Sequence, residues 1–305
     1  MLISSNYLLA KARRGRYAVP AFNINNLETL QAVMAAAQEM KSPVIVQTSE
    51  GAIAYAGMEM LVAMVRVAAQ AKIPVVLHVD HGKHVELIKQ AIRVGYTSVM
   101  FDGSALPWKE NVKITKQIVR LAHAKHVSVE AELGMIKGVE DLVSVAERDA
   151  VLTDPEQAAE FVAQTGCDSF AVAIGTAHGA YKFKGKTHLD LERLERIAGL
   201  VQQPLVLHGA SGVLEDVVQL AEHYGAELEA ARGVLDQDIK QAIKRGISKI
   251  NIDTDLRLAF TAGIREATTD LPRVIDPREL LAPAVRCMKD VAQRKMKLFG
   301  SAGKA

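Results

Sequence analysis

The stretch IPVVLHVDHG, residues 73–82, begins as hydrophobic core and ends in His78, Asp80, His81 and a glycine. A short run of β-branched residues with no polar alternation is the signature of a strand buried on both faces, as in a parallel sheet. The same form recurs along the chain, in YAVPAFN (17–23), PVIVQTS (43–49), TSVMFD (97–102), VSVEAELG (127–134), SFAVAIG (169–175), PLVLHG (204–209) and ISKINID (247–253). Segments of helical period lie between these runs, such as LETLQAVMAAAQEM and ENVKITKQIVRLAHAK, and Asp154-Pro155 opens one of them as N-cap and N1 proline. Strand and helix alternating eight times without a composition break predict a parallel sheet closed into a (β/α)8 TIM barrel, which needs about 250 residues. An open doubly wound sheet is the alternative, but no GxGxxG follows the first strand. The whole of 1–305 is expected to form one barrel domain, with residues 271–305 a C-terminal helical extension started by DPREL.

Each strand ends in a polar group: Asn23, Ser49, Asp80 with His81, Asp102, Glu132, the turn to His178, His208, and Asn251 with Asp253. The C-terminal mouth of such a barrel is where its active site is built. Of the nine histidines, His81, His178 and His208 alone are followed by glycine, and all three fall at or just beyond a strand end. Three neutral imidazoles with an open fourth position make a catalytic zinc site. Glycine beside each one lets backbone come close and frees N–H groups for a substrate anion. Strict alternation would put Asp80 and His81 on opposite faces, so the strand is expected to end there. His78 shares the face of Asp80 and is expected to support the site from behind. The other five histidines, His84, His123, His126, His188 and His223, read as surface residues.

Two connections at the same face are long, residues 135–153 and 176–189, and are expected to act as mobile lids. The irregular segment 222–236 follows a helix and is expected to be peripheral. The basic cluster KARRGR (11–16) reads as a solvated helix C-terminus. With 37 basic and 35 acidic residues the net charge is only +2, which offers no electrostatic case for nucleic acid or an anionic membrane. Two distant cysteines, Cys167 and Cys287, suit a reducing compartment, and the absence of a signal-peptide pattern points to a cytoplasmic protein.

The motifs HVDHG, VEAELG, GTAHGAYK, LHGAS and NIDTDLR, in this order and spacing, resemble the class II, zinc-dependent fructose-bisphosphate aldolases and their tagatose-bisphosphate relatives, from VPAFN to MKLFGSAGKA. The resemblance implies reversible cleavage of fructose 1,6-bisphosphate to dihydroxyacetone phosphate and glyceraldehyde 3-phosphate. It assigns His81, His178 and His208 to Zn2+. Asp102 and Glu132 match acidic positions near a second or alternative metal site, for a divalent or monovalent cation. Asp80 matches the acid/base on the oxygen that becomes the aldehyde, and Glu140 a mobile acid/base on the ketone half. Gly179, Gly209, Ala210, Ser211, Asn251, Asp253 and Thr254 match the pocket for that half's phosphate and hydroxyls, with Asn23 and Ser49 at the other end. Arg278 matches a residue reaching into a neighbouring subunit, so a homodimer or homotetramer is expected. Asp253 favours fructose over tagatose. A Schiff-base aldolase using Lys249, a metal-dependent hydrolase and a non-catalytic sugar-phosphate sensor fit less well. The first gives no reason for three His-Gly strand ends, the second lacks a His-x-His first strand, and the third needs neither acid. Lys249 reads instead as a paired structural lysine.

Overall fold

The computed structural model describes residues 1–134, 137–140, 143–145, 151–178, 189–228 and 232–305, with 137–140, 143–145 and 178 described by their backbone alone. Eleven strands occur among them: β1 (Val19–Asn23), β2 (Val44–Ser49), β3 (Val75–Gly82), β4 (Ser98–Phe101), β5 (Ser128–Leu133), β6 (Lys137–Glu140), β7 (Val143–Val145), β8 (Ser169–Val172), β9 (Ala177–His178), β10 (Leu205–Leu207) and β11 (Ile247–Ile252). Eight of them close into a parallel barrel in the order β1-β11-β10-β8-β5-β4-β3-β2. These are the eight strands expected from the sequence. The connection after β5 carries secondary structure of its own: β6 pairs antiparallel with β7 and parallel with β9.

Alternation divides each barrel strand between two environments. Phe22, Val44, Val46, Val75, Leu77 and Val79 pack outward against the helices. Val19, Ala21, Ile45 and Val76 form a separate cluster with Leu8 and Leu9 of the helix Ser5–Gly15, which closes the bottom of the barrel. That helix is tied in by Ser5, whose hydroxyl lies 2.7 Å from Ser128 Oγ and 3.3 Å from Ser98 Oγ. The basic cluster at its end is only partly solvated. Arg13 donates to the carbonyls of Ala198, Val201 and Gln203, which the end of the helix Leu191–Leu200 leaves without intrahelical donors.

Asn26, Ser49, Asp154, Asp190 and Asp276 each cap a helix by accepting a backbone N–H in its first turn. The C-terminal extension is the helix Pro277–Leu298, begun by Asp276 and Pro277. It lies tightly on the helix Thr254–Asp270, since a Cβ on Gly263 would sit 2.4 Å from the Cα of Ala284.

Candidate active site

The upper half of the barrel interior is polar. On β3, alternation brings His78 and Asp80 inward, and His81 follows by a different device. Its φ is +48°, in the left-handed region, and the β3–β4 register shifts between Val79 and Gly82. This bulge turns His81 to the same side as Asp80, which a regular strand could not do. Gly82 is needed beside it, because a Cβ there would lie 2.6 Å from the carbonyl of Met100.

His81 and His208 face each other with Nε2 and Nδ1 2.8 Å apart. Each ring has its other nitrogen bound to a carboxylate: His81 Nδ1 lies 3.0 Å from Asp102 Oδ2, and His208 Nε2 lies 2.7 Å from Glu130 Oε1. A carboxylate behind an imidazole fixes its tautomer and aims the opposite nitrogen. The two aimed nitrogens converge on one point. Bonds of about 2.0–2.1 Å to a tetrahedral zinc would hold such nitrogens roughly 3.3 Å apart, so a small separation of the rings suffices. Asp80, His81 and His208 offer ligand atoms within 4.8 Å of one another, and so do His81, Asp102 and Glu132. Glu132 Oε1 and Asn251 Oδ1 are buried there without a hydrogen-bond partner among the described residues. The donor set therefore fits a divalent cation of the zinc type. His178 follows the barrel on β9, where its backbone pairs with Gly138 of β6; its side chain lies outside the described residues.

The electrostatics agree with a cation at this point. Burial alone would strip the charge from His81, yet Asp80, Asp102 and Glu132 outweigh it and raise its pKa to about 10. Glu132 is pushed well above the usual carboxylate range, first by burial and then by Asp102. A site that holds a proton this firmly on an imidazole, and raises the proton affinity of a neighbouring carboxylate, concentrates negative potential where a metal would take the place of protons.

Asp80 is held from both sides. Asn251 Nδ2 donates to Oδ1 at 3.0 Å and Asn23 Nδ2 to Oδ2 at 2.9 Å, with Gln47 Nε2 donating to Asn23 Oδ1 at 2.6 Å. Ser49 pairs in register with Asp80 and caps the next helix through its hydroxyl. Gly209 has a φ of +60°, and a Cβ on it would meet the carbonyl of Ala177 at 2.7 Å. Ala210 and Ser211 follow it, both buried. Asp253 and Thr254 follow β11, the neighbour of β10 in the barrel, at the start of the helix Thr254–Asp270.

One expectation needs revision. Segment 222–236 is not wholly peripheral, because Val234 N donates to Ser211 O at 3.1 Å and Gly233 leaves room for that approach. Glu140 lies on β6, which finds its backbone partners in β7; its side chain, like all of Gly179 and residues 180–188, lies outside the described residues. Arg278 is well exposed and paired with Asp276 of its own chain.

Sequence reading passed over Glu130, whose second oxygen accepts from Lys249 Nζ at 2.8 Å. Its signal was the i, i+2 spacing to Glu132, matched by Lys249 and Asn251 on β11. It also passed over Arg257, whose Nε donates to Asp253 Oδ2 at 2.8 Å. With Asn23, Asp253 and Tyr55, Arg257 lines a cleft of about 310 Å³ beside Asp80's amide partners. The i, i+4 spacing from Asp253 was the available sign.

The family model of class II fructose-bisphosphate aldolase matches residues 3–304. The chain belongs to the class II fructose-bisphosphate aldolase family. It is 50% identical to a protein of Thermus caldophilus named fructose-bisphosphate aldolase, over the full length of both chains. Identity to the Helicobacter pylori (strain J99) protein of the same name is 45%, again over 100% of each. Among solved structures, the YdjI aldolase of Escherichia coli K12 superposes with a TM-score of 0.83 at 38% identity, covering 100% of both chains. Its membership accounts for a barrel mouth that gathers imidazoles and carboxylates around one point.

Proposed function

We propose that this class II aldolase cleaves fructose 1,6-bisphosphate reversibly to dihydroxyacetone phosphate and glyceraldehyde 3-phosphate at the barrel mouth. The observation that carries the reading is the pair His81 and His208, each backed by a carboxylate and aimed at one point beside Asp80. Zinc is the metal these residues fit, with His178 as the third ligand. When bound, it supplies a Lewis acid that stabilises negative charge developing beside the ketone. Asp102 orients His81, and Asp102 with Glu132 could hold a second cation.

Asp80 takes the proton from the C4 hydroxyl during cleavage and returns it during condensation. Asn23 and Asn251 donate to its two oxygens, which favours the carboxylate form and fixes its direction. Glu140 exchanges the proton on the ketone half. Backbone amides of Gly179 and Gly209–Ser211, with Asn251, Asp253 and Thr254, bind that half's phosphate and hydroxyls. The second phosphate lies toward the Asn23 and Ser49 end of the site, and Arg257, in the cleft that Asn23 also lines, supplies a cation nearby. Arg278 of a second copy adds another, so the working unit is a homodimer or a larger homo-oligomer in the cytoplasm. Among the described residues no helix is long and apolar enough to cross a membrane by itself.

Chelation tests the reading. Chelator-treated protein should lose fructose 1,6-bisphosphate cleavage and regain it with zinc, and borohydride added with substrate should leave the enzyme active. A covalent adduct trapped on Lys249 would overturn the assignment in favour of Schiff-base chemistry.

A further inference from the structure

The loop from His208 to Leu214 carries two backbone conformations that favour glycine. One falls on Gly209, but the other falls on Val213, a β-branched residue with a φ of +50°. Such a conformation persists only when the surroundings over-determine it. Here the cause is Asp255, which is fully buried. Its Oδ1 accepts from Val213 N at 2.7 Å and its Oδ2 from Gly212 N at 2.9 Å. A buried carboxylate needs a counter-charge, and Lys295 of the helix Pro277–Leu298 brings Nζ within 2.8 Å of Oδ2. Lys295 is itself only 2% exposed. Gly212 admits it, since a Cβ there would stand 2.9 Å from Nζ.

On the other side of the loop, the carbonyl of Ser211 is engaged by Val234 N at 3.1 Å. The peptide between Ser211 and Gly212 is therefore held at both ends, its N–H toward Asp255 and its C=O toward Val234. That leaves the orientation of the preceding peptides, those of Gly209, Ala210 and Ser211, as what the two anchors determine. A buried ion pair is weak evidence for stability, because apolar residues of the same shape often serve as well. Its use here is geometric.

We propose that Lys295 and Asp255 are positioning residues for phosphate recognition: the C-terminal helix, acting through Asp255, sets the amides of residues 209–211 for the phosphate of dihydroxyacetone phosphate. This rests on the phosphate-binding role given to those amides above. Lys295 touches neither zinc ligands nor substrate, so its loss affects phosphate affinity rather than turnover.

The test is condensation kinetics on zinc-loaded Lys295→Met, with the Michaelis constant for dihydroxyacetone phosphate, kcat and zinc content measured together. The Michaelis constant should rise about tenfold, the scale of losing one charge-assisted hydrogen bond, with kcat within about twofold and zinc content unchanged. Lys295→Arg, which keeps the charge, should recover most of the affinity. Should Lys295→Met not fold, Asp255→Asn reports the same shift, because it weakens the anchor of Gly212 and Val213 directly. An unchanged Michaelis constant, or loss of zinc and kcat at constant Michaelis constant, would overturn the proposal. Wild-type protein in which inorganic phosphate fails to compete with dihydroxyacetone phosphate would remove the phosphate site itself, and the clamp with it.

Discussion

Asp80 and Glu130 are both buried carboxylates beside the imidazole cluster, yet their surroundings give them different work. Asp80 accepts from two uncharged amides, Asn23 and Asn251, and stands beside the converging nitrogens. Glu130 accepts from His208 and Lys249, and lies behind the ring. Asp80→Asn should therefore keep zinc and fold while turnover falls by roughly two to four orders of magnitude, as loss of a general acid–base group does. Glu130→Gln should do the converse, weakening zinc affinity by about 10–100-fold. Metal analysis and kinetics on both variants separate the roles; zinc loss in Asp80→Asn would make Asp80 a ligand.

At the scale of elements, the site depends on strand ends that leave ideal geometry. The bulge at His81 and the left-handed turns at Gly209 and Val213 re-aim the chain where β3 and β10 meet the mouth. Gly209→Ala would place a methyl group 2.7 Å from the Ala177 carbonyl while holding a φ of +60°. The left-handed conformation alone costs an alanine about 1–2 kcal/mol. The neighbour that must give way is the peptide leading to His178, so calorimetry should show a melting temperature lower by several degrees together with weaker zinc binding. A variant as stable and as metal-loaded as wild type would mean that the loop relaxes freely.

For the whole molecule, the polar plug inside the barrel makes stability depend on pH. Burial first, then Lys249, lowers the pKa of His78 to about 3, so His78 is neutral in the folded chain. It faces Ser98, Glu130, Lys249 and, through space, Asp80 and His208. An unfolded histidine takes up a proton near pH 6.5, so the unfolded state binds more protons between about 6.5 and 3. The contribution of His78 to stability should fall as pH drops through that window, while Glu132, whose pKa burial and Asp102 raise, contributes in the opposite direction above the ordinary carboxylate range. Glu130, held below the carboxylate range because Lys249 and His208 outweigh its burial, adds its own loss at the acid end. Urea unfolding of metal-free wild type and His78→Gln isolates the histidine: the stability of wild type relative to the variant should fall steadily as pH drops from about 6.5 toward 3. At the level of assembly, Asp80→Ala and Arg278→Ala should each be nearly inactive alone. If Arg278 serves a second copy's site, mixing them restores activity, since each hybrid then holds one intact site. Verified hybrids without activity would confine Arg278 to its own subunit.

The eight barrel strands, the polar strand ends and the three His-Gly pairs are legible in the sequence because they are local. β-branched runs, alternation and glycine spacing act within a few residues, and the motifs from HVDHG to NIDTDLR keep the order that places the chain in its family. What the tertiary structure alone decided is which polar groups meet. Glu130 and Lys249 are 119 residues apart, Asp255 and Lys295 belong to different helices, and Val234 reaches Ser211 across a helix. No periodicity encodes those pairings. They follow from closing the barrel, which removes water from charged side chains and leaves each to find its partner among the few groups that closure brings within reach.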